Sequence, residues 1–113
     1  SMTTDAILAF RDDLSRYRDF CLHCSDPVSS LDICAHFTRG AVQVSGTPYV
    51  VLQSDQSEVC IKHIAGVSVR RKPNSCVYRF LCRDFLTQNT RTYLLVCSGP
   101  SGRNAGNAFF QPA

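Results

Sequence analysis

No stretch of the 113 residues approaches the roughly 20 consecutive apolar residues that a membrane-crossing helix needs. The first residues also lack a basic segment leading into a long apolar run, the pattern of a secretory signal. Internal repeats and low-complexity segments are missing too, and the length leaves room for one domain, 1–113, around one core. Charge is sparse: 19% of residues carry it, for a net +3. That mild excess falls well short of the strong basic patch of a dedicated nucleic-acid binder. No glycine-rich phosphate loop is present, because Ser98-Gly99-Pro100-Ser101-Gly102 lacks the closing Lys-Ser/Thr and a helix behind it. Carboxylates are few, nine in all. The visible pair Asp12-Asp13 falls on what reads as the polar face of a helix. Together these absences argue for a domain that binds rather than catalyses.

What the chain does have is apolar content and cysteine. Hydrophobic residues make up 44%, the level of an ordinary folded domain. Seven cysteines, at positions 21, 24, 34, 60, 76, 82 and 97, are an odd number. A secreted disulfide scaffold usually shows an even, dense count. Most sit inside apolar strand patterns, where a reduced thiol packs as a small hydrophobe. The expectation is a reducing compartment, cytoplasmic or nuclear. Ser1-Met2 reads as an expression scar before or including the native start.

Residues 4–24 carry a helical pattern. Ile7, Phe10, Leu14, Tyr17 and Cys21 recur at spacings of three and four, with Arg11, Asp12, Asp13, Arg16 and Arg18 on the opposite side. Thr4 or Asp5 can cap the start, and Asp26-Pro27 stops further growth. From Leu31 the period changes to two. Short apolar runs at 33–37, 41–44 and 49–53 are broken by Arg39-Gly40 and by Gly46-Thr47-Pro48. Alternating segments follow at 59–64 and 67–70, then a turn at Lys72-Pro73-Asn74-Ser75. The two clearest strands come last. In 76–83, Cys76, Tyr78, Phe80 and Cys82 share one face, and in 91–97 Tyr93, Leu95 and Cys97 alternate with Thr92, Leu94 and Val96. A hairpin loop at 84–90 joins them, and 98–113 reads as a flexible tail. The predicted fold is mainly β with one N-terminal α-helix, an antiparallel β-barrel or sandwich of six to seven strands across 31–97.

The second half resembles a phosphotyrosine-binding (PTB) domain, a member of the pleckstrin-homology (PH) superfold. Val67-Ser68-Val69 stands where that family has Ile-Ser-Phe. Phe80-Leu81-Cys82-Arg83-Asp84 is similar to its aromatic-Ile-Ala-Arg-Asp strand, and Thr92-Tyr93-Leu94-Leu95-Val96-Cys97 to its Cys-His-Val-Phe-x-Cys strand. The resemblance covers about the middle third of the chain. The family's opening Tyr-Leu-Gly strand is not visible, and Cys97 is followed by a Gly- and Asn-rich run ending in Phe109-Phe110-Gln111-Pro112 rather than a good helix former. The resemblance implies an interaction module whose peptide partner, phosphorylated or not, pairs with Val67, Ser68, Val69, Arg70 and Arg71 and extends the sheet. Phe109 and Phe110 would flank the groove. Arg70, Arg71 and Lys72 would meet a phosphate or carboxylate through charged hydrogen bonds. More often, such a basic run is only a solvated strand tip. No cofactor is expected.

Three other readings compete. Cys21, Cys24, Cys34 and His36 offer the ligand types of a single zinc knuckle, although no second Cys-x-x-Cys completes a cross-braced pattern, and buried free thiols are the commoner state. Nucleic acid could bind a basic face built from Arg70, Arg71, Lys72, Arg79, Arg83 and Arg91, with Tyr78, Phe80 and Tyr93 as stacking platforms. The alternation of 76–83 opposes this, because it sends Arg79 and Arg83 to one face and Tyr78 and Phe80 to the other. A free strand edge would equally serve a homo-oligomer.

Overall fold

A computed structural model of the chain describes residues 2–26 and 31–100. The chain opens with helix α1, Met2–Leu14, followed by eight strands. These are β1 Tyr17–Asp26, β2 Leu31–Phe37, β3 Arg39–Gln43, β4 Tyr49–Gln53, β5 Glu58–Ile61, β6 Ile64–Lys72, β7 Ser75–Arg83 and β8 Thr90–Pro100. The architecture is therefore mainly β with one N-terminal helix. The strands form two antiparallel sheets, a five-stranded one ordered β2-β1-β8-β7-β6 and a three-stranded one ordered β3-β4-β5, and they do not close into a barrel.

The core lies on one face of the large sheet. Phe20, Leu22 and Cys24 of β1, Cys76, Tyr78, Phe80 and Cys82 of β7, and Tyr93, Leu95 and Cys97 of β8 are all buried there. The small sheet contributes Val50, Leu52 and Ile61 to the same cluster, and α1 contributes Phe10 and Leu14. Phe10 meets Tyr78 and Phe80 edge-on, with ring centroids 4.6 and 5.3 Å away. That edge-to-face geometry favours aromatic pairs beyond their burial alone. Gly40 lets α1 pack closely on β3, since a Cβ there would sit 2.8 Å from a Leu14 methyl and force that side chain to shift.

Two corrections concern the N-terminal region. The helix ends at Leu14, not at position 24, and Tyr17–Asp26 is a strand at the heart of the large sheet. Turn bonds from the Ser15 and Arg16 amides to the Asp12 and Asp13 carbonyls tighten and end the helix. Beyond them Phe20, Leu22 and Cys24 alternate, and as a strand all three are buried between β2 and β8. Tertiary burial of that period-two set outweighs the local three-and-four spacing of Tyr17 and Cys21. The second correction is Asp13, which does not lie on a solvated helix face but is 1% exposed. Arg39-Gly40, expected as a break, begins β3, and β8 runs through Ser98-Gly99-Pro100 into the expected tail. The remainder of that tail, with Phe109 and Phe110, lies outside the described residues.

Candidate functional site

β6 is the last strand of the large sheet, so one side of its nine-residue backbone pairs with β7 and the other with no strand. It carries Val67, Ser68, Val69, Arg70 and Arg71, the residues expected to pair with a partner. Residues 68–72 are exposed and Val67 is half-buried. α1 runs alongside. Near its start, the Thr3 hydroxyl donates to the Ala65 carbonyl at 3.3 Å, and near its end Asp13 holds Arg71. α1 thus touches the strand at Ala65 and again at Arg71, while residues 68–72 stay exposed to solvent and pair with no further strand.

The three cations of this stretch are not equivalent. Val67, Val69 and Arg71 stand opposite Phe80, Tyr78 and Cys76, on the core side of the sheet. Arg71 uses its fork on Asp13, with Nη1 donating to Oδ1 at 3.0 Å and Nη2 to Oδ2 at 2.8 Å. The Tyr78 hydroxyl donates to the same carboxylate. Burial pushes the Asp13 carboxyl up. The hydrogen bonds from Arg71 and Tyr78 and the charge of Arg16 outweigh it and hold the group below the usual carboxylate range. Desolvation and then Asp13 push the Tyr78 phenol upward. Arg71 is thus occupied within the fold. Arg70 and Lys72 point to the outer face with Arg79 of β7, and among the described residues no ion pair engages these three.

The outer face of the large sheet has a second feature. Register places Cys21 opposite His36 and His23 opposite Cys34, with Cys21 and His23 alternating with the buried Phe20, Leu22 and Cys24. The Cys21 Sγ lies 3.6 Å from the His23 Nε2. Ligand atoms of Cys21, His23 and Cys34 all fall within 4.8 Å of one another. Burial pushes the Cys21 thiol up, and the neighbouring Cys34 sulfur adds to the shift. The expected ligand set is corrected at one member. Cys24 is 1% exposed on the core face, because its position in β1 is odd-numbered steps from Cys21 and the pleat sends the two to opposite sides. His23 stands in its place. Sequence spacing did hold the signal, since Cys21-Leu22-His23 and Cys34-Ala35-His36 share a Cys-x-His step that puts both donors on one strand face.

Between these two features the outer face is apolar. Val96 and Leu94 of β8 lie beside Cys21 and His23, and Val77 and Arg79 of β7 lie beside them in turn. Leu94 is 40% exposed. The aromatics considered for base stacking are elsewhere, with Tyr78, Phe80 and Tyr93 all buried in the core.

A cavity of about 430 Å³ opens at the end of the sheets, lined by Lys62, His63, Arg83, Asp84 and Arg91 among others. Asp84 is occupied in shaping the adjoining hairpin, accepting from the Leu86 and Thr87 amides at 2.8 and 3.3 Å. Neither the β6 edge nor the Cys/His group lines this cavity. No helix among the described residues is long and apolar enough to cross a membrane. No family model, curated protein or solved structure matches the chain.

Proposed function

We propose that the domain is a non-enzymatic protein-interaction module. It captures an extended, acidic segment of a partner as an added strand along the open half of β6. The observation that carries this reading is the unpaired edge at 68–72 flanked by Arg70, Lys72 and Arg79, three cations with no ion-pair partner among the described residues. Backbone hydrogen bonds along the edge supply affinity in such a mode, and side chains of alternate residues supply selectivity. On the outer side those side chains meet carboxylates or phosphate. On the inner side Val69, 43% exposed, offers an apolar contact beside α1.

This reading supports peptide capture of the kind the PTB resemblance implies, with Arg70, Lys72 and Arg79 rather than Arg71 as the charged contacts. The test is a library of nine-residue peptides alternating β-branched and polar residues, each made with and without an Asp-Glu pair at one end. Binding is followed by fluorescence polarisation and mapped by backbone amide shifts. Acid-tipped peptides should bind and shift amides of β6. Reversing Arg70, Lys72 and Arg79 to Glu together should weaken binding by about tenfold, at roughly 0.5 kcal/mol for each exposed charge pair. Val69→Pro disturbs the edge strand's backbone pattern and should abolish binding while the fold persists. Binding that survives in a folded Val69→Pro variant, or that maps away from β6, overturns the reading.

A further inference from the structure

We infer that Cys21, His23, Cys34 and His36 form a zinc site on the outer face of β1 and β2. A Cys-x-His step on each of two adjacent antiparallel strands, in a register pairing Cys21 with His36 and His23 with Cys34, sets two thiols and two imidazoles at the corners of one square. None faces the core, and Cys34, His23 and His36 are exposed, so an ion reaches them from solvent.

Distances favour zinc. With Zn–S near 2.3 Å and Zn–N near 2.0–2.1 Å, a tetrahedral ion separates its sulfur and nitrogen ligands by about 3.6 Å. The Cys21 Sγ and His23 Nε2 already lie 3.6 Å apart. Cys34 completes a trio within 4.8 Å, leaving a contraction of about 1 Å that side-chain rotation can supply. His36 provides the fourth ligand by turning its ring toward Cys21. Its Nε2 sits 3.4 Å from Asp19 Oδ1. A carboxylate on the far nitrogen of a ligating histidine fixes its tautomer and orientation, so Asp19 fits as the supporting group of a carboxylate–histidine–zinc arrangement. Two thiolates with two imidazoles suit zinc far better than the oxygen-seeking calcium or magnesium. The ion would bridge the β1–β2 hairpin at the edge of the sheet opposite β6.

The reduced full-length chain, stripped of metal, is titrated with Zn²⁺ and, in parallel, with Co²⁺ as a spectroscopic stand-in. One zinc per chain is expected by native mass spectrometry. The visible bands of tetrahedral, thiolate-bound cobalt should accompany it, with a thermal midpoint that rises on zinc and falls back with chelator. Cys34→Ser and His23→Ala change exposed side chains and should leave the far-ultraviolet circular dichroism intact while lowering affinity by roughly 100-fold or more. Loss of a ligand must exceed the 10–100-fold typical of losing a supporting group. His36→Ala should weaken binding by a similar factor and remove the tetrahedral bands, and Asp19→Asn should weaken it by roughly tenfold. Cys60→Ser, on the small sheet, should change nothing. Absence of uptake by the reduced protein, uptake unchanged in Cys34→Ser, or tetrahedral bands retained in His36→Ala each overturns the assignment.

Discussion

The two faces of the large sheet carry polar clusters of opposite character. On the inner face Asp13, Arg71 and Tyr78 form a closed set in which the carboxylate oxygens of Asp13 are met and nothing is left to bind a ligand. On the outer face Cys21, His23 and Cys34 approach one another with one contact of 3.6 Å between thiol and imidazole, and Arg70, Lys72 and Arg79 have no ion-pair partner in the described fold. Burial decides the difference. A charge at Asp13, 1% exposed, must be fully compensated, whereas exposed groups remain solvated at little cost and stay available. The same sheet thus holds its stability on one side and its reactive and charged groups on the other.

Neighbouring residues of β8 give the largest contrast. Leu95 is fully buried in the core and Leu94, beside it in sequence, is 40% exposed on the outer face. Leu95→Ala should cost about 2–5 kcal/mol in urea unfolding, and Leu94→Ala no more than about 0.5 kcal/mol. Comparable costs at the two positions would show that the outer face is covered in solution and break the contrast.

Arg71→Met tests the closed cluster next. It keeps the aliphatic stem but removes the two-pronged partner of the buried Asp13 carboxylate, leaving Tyr78 and Arg16 as its donors. We expect a loss of about 3 kcal/mol, at the low end for a broken buried pair because the Arg71 side chain is half exposed and screened. Arg70→Met, one residue earlier and facing outward, should change stability by less than about 0.5 kcal/mol. Equal effects at 70 and 71 would mean that Asp13 does not discriminate between them.

A smaller effect follows from pH. Asp13 titrates below its ordinary value in the folded chain, so its contribution to stability is complete above the unfolded aspartate pKa of about 3.9 and is lost as pH falls through the lower folded value. Asp84 is also held low, by the Leu86 and Thr87 amides, and titrates in the same window. The informative quantity is therefore the difference in unfolding free energy between the native chain and Asp13→Asn. That difference should be constant from pH 5 to 8 and shrink below pH 4. A difference independent of pH down to 3 would show that the carboxylate charge carries none of the cluster's stability.

These contrasts also explain how much of the fold was legible. From Leu31 onward the period-two pattern located each strand to within a few residues, because in 75–83 and 90–97 burial on one face forces strict alternation. The single helix was legible at Ile7, Phe10 and Leu14 for the same reason. Its end at Leu14 is hidden because Tyr17 and Cys21 continue the helical spacing by coincidence, while Phe20, Leu22 and Cys24 follow the strand period that wins. Asp13 was illegible. An aspartate one residue from Asp12 on a helix reads as solvated unless Arg71, 58 positions away, is known to cover it. That 64–72 is a strand follows from its alternation, but its place at the edge of the sheet depends on the strand order, which local pattern does not carry. The Cys/His square depended on the register between β1 and β2, and with β1 taken for helix that register could not be drawn.

The smallest energetic effect, and the sharpest separation of faces, lies in the cysteines. All seven are free. Cys34 is exposed, and Cys21 and Cys60 are half-buried. Cys24, Cys76, Cys82 and Cys97 are buried, and burial pushes the Cys82 thiol up to about 11. A neutral, buried thiol is a poor nucleophile twice over, through access and through its small thiolate fraction. With a thiol-reactive disulfide reagent at neutral pH, Cys34 should label first and Cys21 and Cys60 more slowly. The four core thiols should react only on unfolding. Cys34→Ser should remove the fast phase while shifting stability by less than about 0.5 kcal/mol, since it leaves the packed face untouched. Fast labelling of Cys24 would place its strand face toward solvent, and the division of the sheet into a packed side and an open side would fail at β1.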